Sequence, residues 1–295
     1  MLSGQSGAVL LASVVAVTWG ISPLFEKAGL SEGGKPVQAS VVFVSIASFL
    51  YWVAAFVIGG PFEGLTKFAV AVFGIAGVFG TALGRVSVFE GVKRVGPSVN
   101  GAGISTRPVF SALLAWAWLG EPVSPRQAVG IAVLVGGLTV ISLSKGGEVS
   151  GWSTRDLAFP VGAAALFGAG FVLRRFGLNE TGVTPLQAVA VNETAALVAL
   201  VLFVSYRGDA GKSPPLKSYA YFVAGGVVTA VGLLSFFAAL AVPEGNVALV
   251  DPIAASAPLF TVTVSWALPF GSERVTRRLA VGMALTVVGA ALVAV

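Results

Sequence analysis

The sequence predicts an all-α membrane protein of ten transmembrane helices, built as two five-helix repeats of inverted topology. Three observations lead there. Apolar residues make up 56% of the 295 and charged residues 11%, with a mean hydropathy of +0.92. A soluble domain carries about 25% charged residues, so this chain lacks the polar surface to cover itself in water. The apolar runs are continuous and of bilayer length, which selects helices over the alternating pattern of a β-barrel. Finally, the second half repeats the first at an offset that drifts only between 148 and 152 residues.

Composition also narrows the chemistry. The chain has no Cys and no His. That excludes disulfides, Cys or His metal ligation, His-held haem and Cys or His catalysis, so no metal or cofactor is expected and the chain reads as a non-enzyme. The net charge of +5 is spread over loops and gives no nucleic-acid signal. Met1 leads almost directly into an apolar run with no basic segment before it, which reads as a first span and not a removable signal.

The spans follow in order. Span 1 (7–28) holds Trp19-Gly20 and Pro23 and ends on Glu26-Lys27, and a turn SEGGKP leads to span 2 (37–58). Span 3 (67–88) carries the GxxxG pair Gly80 and Gly84, which permits close helix contact, and Arg85 near its end. A turn at 93–97 precedes span 4 (99–119), and Pro122 and Pro125 punctuate the way to span 5 (127–143). The Gly-rich polar segment 144–156 reads as the linker between a first repeat, 7–143, and a second, 157–295. Span 6 (157–173) ends on Arg174-Arg175, which are read as interfacial anchors together with Glu26-Lys27. Span 7 (185–205) carries Asn192-Glu193-Thr194, and spans 8 (219–242), 9 (247–270) and 10 (279–295) complete the set.

The repeats match in register. Gly29-Leu30 aligns with Gly177-Leu178, Pro36-x-Gln38-Ala39 with Pro185-x-Gln187-Ala188, and Ser87 and Phe89 with Ser235 and Phe237. In spans 4 and 9, Pro108 matches Pro258, Phe110 matches Phe260, Trp116 matches Trp266 and Glu121 matches Glu273. Gly130 matches Gly282 and Gly137 matches Gly289. Five spans per repeat insert the second copy upside-down, the architecture of secondary transporters with a substrate site near the midplane.

Arg107 is the costliest residue, a charge in the middle of span 4. It should face a cavity or a partner, as a clamp on an anionic or zwitterionic substrate or as a structural ion pair. Its counterpart is Ala257, so it is no shared scaffold need. Pro108 and Pro258 remove a backbone donor in each repeat and are candidate helix breaks. Glu193 is a candidate proton-coupling carboxylate or a partner for Arg107 or Arg85. Asp251 is either a substrate contact or a carboxylate stabilising the start of span 9. Trp19 and Phe171, at nearly corresponding places, are candidate cavity walls or packing aromatics. Asn100, Ser105, Thr106 and Ser256 are hydrogen-bond formers for substrate or for neighbouring helices. Arg85 and Glu90 are five apart, so Arg85 reads as a snorkelling side chain.

Together these residues carry a likeness: Trp19-Gly20 late in span 1, the stretch 89–108 leading into Pro108-Val109-Phe110, and Leu119-Gly120-Glu121 before a turn and a Gly-rich helix. The second half repeats it as Pro258-Leu259-Phe260, Gly271-Ser272-Glu273 and the run from Gly282 to Gly289. Over nearly its whole length the chain resembles the EamA family of the drug/metabolite transporter superfamily. The resemblance implies ten spans, a cavity lined by spans 1, 3, 4, 6, 8 and 9 and no fixed ligand set. It implies transport, commonly outward, of small polar metabolites, often amino acids or related solutes, across the plasma membrane. It also implies cytoplasmic termini, against the Lys and Arg count of the loops, which favours an outside N-terminus. The function expected is a secondary transporter of a small polar, zwitterionic or anionic metabolite by alternating access, driven by a proton or another ion gradient or by none. A membrane scaffold or an intramembrane lipid-acting enzyme is the alternative.

Overall fold

The computed structural model of the chain describes residues 4–144, 150–208, 213–267 and 276–295. All regular structure among them is helical, and nine helices are long and apolar enough to cross a membrane. In order these are α1 (Gly4–Ser31) and α2 (Pro36–Ile58), then α3 (Lys67–Gly77), which passes through a π-helical segment (Val78–Leu83) into α4 (Gly84–Ile104). α5 (Arg107–Leu114) ends in a second π segment (Ala115–Leu119), and α6 (Pro125–Ser144) closes the first half. A 3₁₀ turn (Thr154–Leu157) opens the second half, with α7 (Ala158–Thr181), α8 (Pro185–Arg207), α9 (Leu216–Ala241), α10 (Val247–Ala255), α11 (Ala257–Ala267) and α12 (Arg277–Ala294).

Local chemistry explains the boundaries. Pro36 and Pro185 sit in the first turns of α2 and α8, where a missing N–H costs nothing. Thr66, Thr184 and Asn246 accept the first free backbone donors of α3, α8 and α10 through their side chains. Gly120, at φ +66°, ends the second π segment in the left-handed conformation glycine adopts at low cost.

The expected turn at 93–97 is a kink: Gly96 (φ 79°, ψ 164°), next to Pro97, leaves helical geometry and divides α4 in two. Residues 97–119 are divided between the end of α4, α5 and the π segment, so no single 18-residue helix forms there. Among the described residues nine helices reach spanning length, the run Lys67–Ile104 being counted across that kink, where ten spans were expected. Residues 145–149 of the expected linker, 209–212 of the loop after span 7 and the Gly271-Ser272-Glu273 motif lie outside the described residues.

Spans 4 and 9 are interrupted at matching places, bond by bond. The Thr106 N–H and hydroxyl both donate to Gly103 O, and Val109 N–H donates to Thr106 O. In the second half the Ser256 N–H and hydroxyl both donate to Ile253 O, and Leu259 N–H donates to Ser256 O. Pro108 and Pro258 follow each break directly and cannot supply the donor that would heal it.

The halves interlock. α1 packs along α9 while α7 packs along α3 and α4, and α2 pairs with α8 as α6 pairs with α12. At the α6–α12 crossing Gly130 lies against Gly289 and Gly137 against Gly282, so the backbones approach where any Cβ would clash. The largest buried cluster joins α1, α5, α7, α9, α10 and α12 and includes Ala12, Ala115, Phe171, Phe236 and Leu240. It fills the end of the bundle where the termini meet, marked by Gln5 Nε2 donating to Ala294 O. We call this the terminal end and the opposite one the distal end. Large apolar side chains such as Val57 (81% exposed) and Leu202 (65%) point outward, as hydrocarbon surroundings require.

Candidate functional site

A cavity of about 300 Å³ lies between the halves. Along α1 its wall runs from Trp19 through Ser22 and Pro23 to Glu26, and along the π segment and α4 from Gly80 through Thr81 and Arg85 to Phe89. Both series climb from mid-helix toward the distal end, so the cavity opens there. α2 adds Ser40 and Phe43, α7 adds Phe167, Phe171 and Arg174, and Arg107, Glu193, Thr229 and Leu233 complete the lining. Spans 2 and 7 thus contribute although the resemblance did not nominate them, and span 9 contributes no lining residue.

Aromatic rings close the floor. Phe171 and Phe236 have ring centroids 4.5 Å apart, and Trp19 stacks on Phe236 at 5.6 Å. Two guanidinium groups share the Phe171 ring, Arg107 at 5.0 Å and Arg174 at 5.2 Å from its centroid, and Arg174 also lies 5.4 Å from the Phe237 ring. Such contacts stabilise a cation withdrawn from water.

Arg107 begins α5 at the break, where the chain turns its side chain toward the cavity. Its Nε donates to Asp251 Oδ1 at 2.9 Å, and Ser111 Oγ donates to Asp251 Oδ2 at 2.5 Å. Nη2 lies 2.7 Å from the same Oδ1 but off the line of its N–H bonds, so it makes no hydrogen bond among the described residues. Asp251 is fully buried, does not line the cavity and stands at the fifth position of α10, beyond the first turn, whose cap is Asn246. It serves neither the expected substrate contact nor the helix start: it is the counter-ion of Arg107, and the pair joins the two halves.

Arg174 is not an interfacial anchor. α7 continues past the expected end of span 6 to Thr181, so Arg174 is buried at 1% exposure. Its Nε donates to Asn192 Oδ1 (3.1 Å) and its Nη2 to Thr81 Oγ1 (2.8 Å). Asn192 Nδ2 and Thr81 Oγ1 both donate to Glu193 Oε1, at 2.9 and 3.4 Å. Asn192 and Glu193 are therefore neighbours in one network, of which Glu193 lines the cavity and Asn192 does not.

Arg175 is likewise buried, on the terminal side of the floor. Its Nε donates to Glu121 Oε1 at 2.8 Å, and its remaining nitrogens donate to the carbonyls of Leu240, Val242 and Pro243. Glu121 Oε2 accepts from Val247 N–H (2.8 Å) at the start of α10. The Leu-Gly-Glu turn of the first half thus latches the end of α9 to the start of α10.

The other candidates lie off the cavity. Asn100 is buried against Gly91, and Ser105, Thr106 and Ser256 donate to carbonyls of their own helices. Ser256 and Phe260 border a second, smaller groove of about 220 Å³ between α1, α10, α11 and α12. Sequence reasoning missed Thr81 and Thr229 and set Glu26, Arg85 and Arg174 aside as boundary residues. Arg85, read as snorkelling, lines the cavity and makes no ion pair among the described residues. Glu90 instead pairs with Arg207 (2.8 Å) and Lys93 (3.5 Å) at the distal end.

Apolar helices of bilayer length around a cavity between two interlocked halves define a class, an integral multi-pass membrane protein. The chain belongs to the EamA-like transporter family, whose model matches residues 6–143 and again 156–295, and so to the drug/metabolite transporter superfamily. A solved structure titled "Crystal structure of protein" is 21% identical, covers 98% of this chain and 96% of its own, and superposes with a TM-score of 0.81, so the fold is shared. No curated protein matches the chain.

Proposed function

We propose that the chain is a secondary transporter, an exporter or exchanger of a small polar, zwitterionic or anionic metabolite, working by alternating access of two inverted five-helix halves that cross the plasma membrane ten times. The observation that carries the substrate reading is Arg107. It lines the cavity floor, its side chain 13% exposed and its guanidinium paired with Asp251. A carboxylate entering from the distal mouth would share that guanidinium. Arg85 and Glu26 higher in the wall offer one charge of each sign, as a zwitterion needs. The inverted arrangement is supported by α1 leaving the terminal end while α7 leaves the distal end, and by the paired breaks of spans 4 and 9.

The test is a panel of zwitterionic and anionic solutes counterflowed in proteoliposomes. Arg107→Ala is expected to abolish flux, and so is the double variant Arg107→Leu with Asp251→Leu, which leaves no unpaired carboxylate and should insert and purify normally. Normal flux would refute the binding role. Glu193, in the floor network with Arg174, is the proposed proton-coupling group, and Glu193→Gln is expected to leave solute flux insensitive to a pH gradient. With the termini in the cytoplasm, the distal mouth faces outside. A C-terminal reporter fusion is then active in its cytoplasmic version, and activity of the periplasmic version would reverse the orientation.

A further inference from the structure

Resting on that inverted-repeat reading, we propose that Glu26 is a second proton-binding site, taking up a proton at the distal mouth and crossing as the neutral acid. In an inverted repeat, the alternate arrangement gives each half the environment its counterpart now has. The counterpart of Glu26, at the 148-residue offset of Gly29 and Gly177, is Arg174. Glu26 is now half-buried, lines the open cavity and has no hydrogen bond or ion pair among the described residues. Arg174 is buried to 1%. Exchange of the two arrangements therefore carries Glu26 from an open wall into a buried place.

That place suits a cation in one half and holds nothing for an anion in the other. Arg174 is satisfied by Asn192, Thr81 and the rings of Phe171 and Phe237. The counterparts of those four are Phe43, at the 149-residue offset of Pro36 and Pro185, and Thr229, Pro23 and Phe89 at 148. None is cationic, and one hydroxyl is the whole polar provision. A carboxylate withdrawn from water without a cation takes a proton instead of keeping its charge. The charged groups that share the present cavity with Glu26 are Arg85 on α4, Arg107 on α5, Arg174 on α7 and Glu193 on α8, while α2 and α9 present Ser40, Phe43, Thr229 and Leu233.

The experiment reads conformation, not flux, and uses the absence of native cysteines. Val189 on α8 is fully buried now, and its counterpart Ser40 lines the open cavity, so Val189 becomes accessible when the terminal end opens. The single variant Val189→Cys is labelled with an impermeant maleimide across pH 5–8 in nanodiscs, normalised to exposed Ser31→Cys. Labelling is expected to rise on acidification. Glu26→Gln in the same background should label at the acidic level at every pH, and Glu26→Asp should keep the pH dependence. A wild-type pH response surviving in Glu26→Gln would overturn the Glu26 site. No labelling of Val189→Cys at any pH, in either background, would instead overturn the alternating-access reading on which it rests.

Discussion

Spans 4 and 9 begin from the same plan and end with different contents. Each breaks one residue or two before a proline, with the same doubled donation to a carbonyl three residues back. Each presses the phenylalanine after its break against a glycine of a first-in-half helix: Phe110 against Gly168 of α7, and Phe260 against Gly20 of α1. Beyond that scaffold the contents divide. Span 4 carries Arg107 and Ser111, span 9 carries their partner Asp251, and the counterparts of the three at the same 150-residue offset are Ala257, Thr261 and Gly101. Thr261, with no carboxylate to serve, donates to Gly20 O. The two breaks are alike, and the cation stands on one and its anion on the other.

The comparison can be broken by moving the charge. The double variant Arg107→Ala with Ala257→Arg is expected to stay as inactive in counterflow as Arg107→Ala alone, because no carboxylate stands where Gly101 is. Restored flux would show the two breaks to be interchangeable. A smaller effect should come from Asp251→Ala, which leaves the buried Arg107 without its anion. Losing one partner of such a pair costs about 3–5 kcal/mol, read as a lowered thermal midpoint, while removing both with Arg107→Leu and Asp251→Leu should recover much of it. The smallest contrast is between Ser111→Ala and Thr261→Ala. The first removes a hydrogen bond to a carboxylate, worth about 1.5–3 kcal/mol, and the second one to a backbone carbonyl, worth about 1 kcal/mol. Equal losses in thermal stability would erase the difference between the hinges.

The architecture was legible because its signals are local. Continuous apolar runs mark helices, and Pro108 and Pro258 mark the interruptions wherever the rest of the chain goes. Arg107, Trp19, Phe171 and Glu193 could be picked out as polar or aromatic residues deep within spans. Arg174 and Glu26 could not, since a span drawn from hydropathy stops at its first charge. α7 instead runs to Thr181 and α1 to Ser31. Their matching places at the ends of spans 1 and 6 were the available sign, opposite charges at one repeat position. The Arg107–Asp251 pair was hidden for another reason: its members lie 144 residues apart in different halves, and only packing brings them together.

One contact differs in kind from those at the hinges. Where α6 crosses α12, Gly130 meets Gly289 and Gly137 meets Gly282, and each glycine is the counterpart of the other's partner. Swapping the halves maps this crossing onto itself. The α1–α9 contact, by contrast, would trade places with that of α7 on α3 and α4. Under the proposed exchange, then, α6 and α12 would have nothing to rearrange and would serve as an axle, held by four glycines that bring the two backbones into contact.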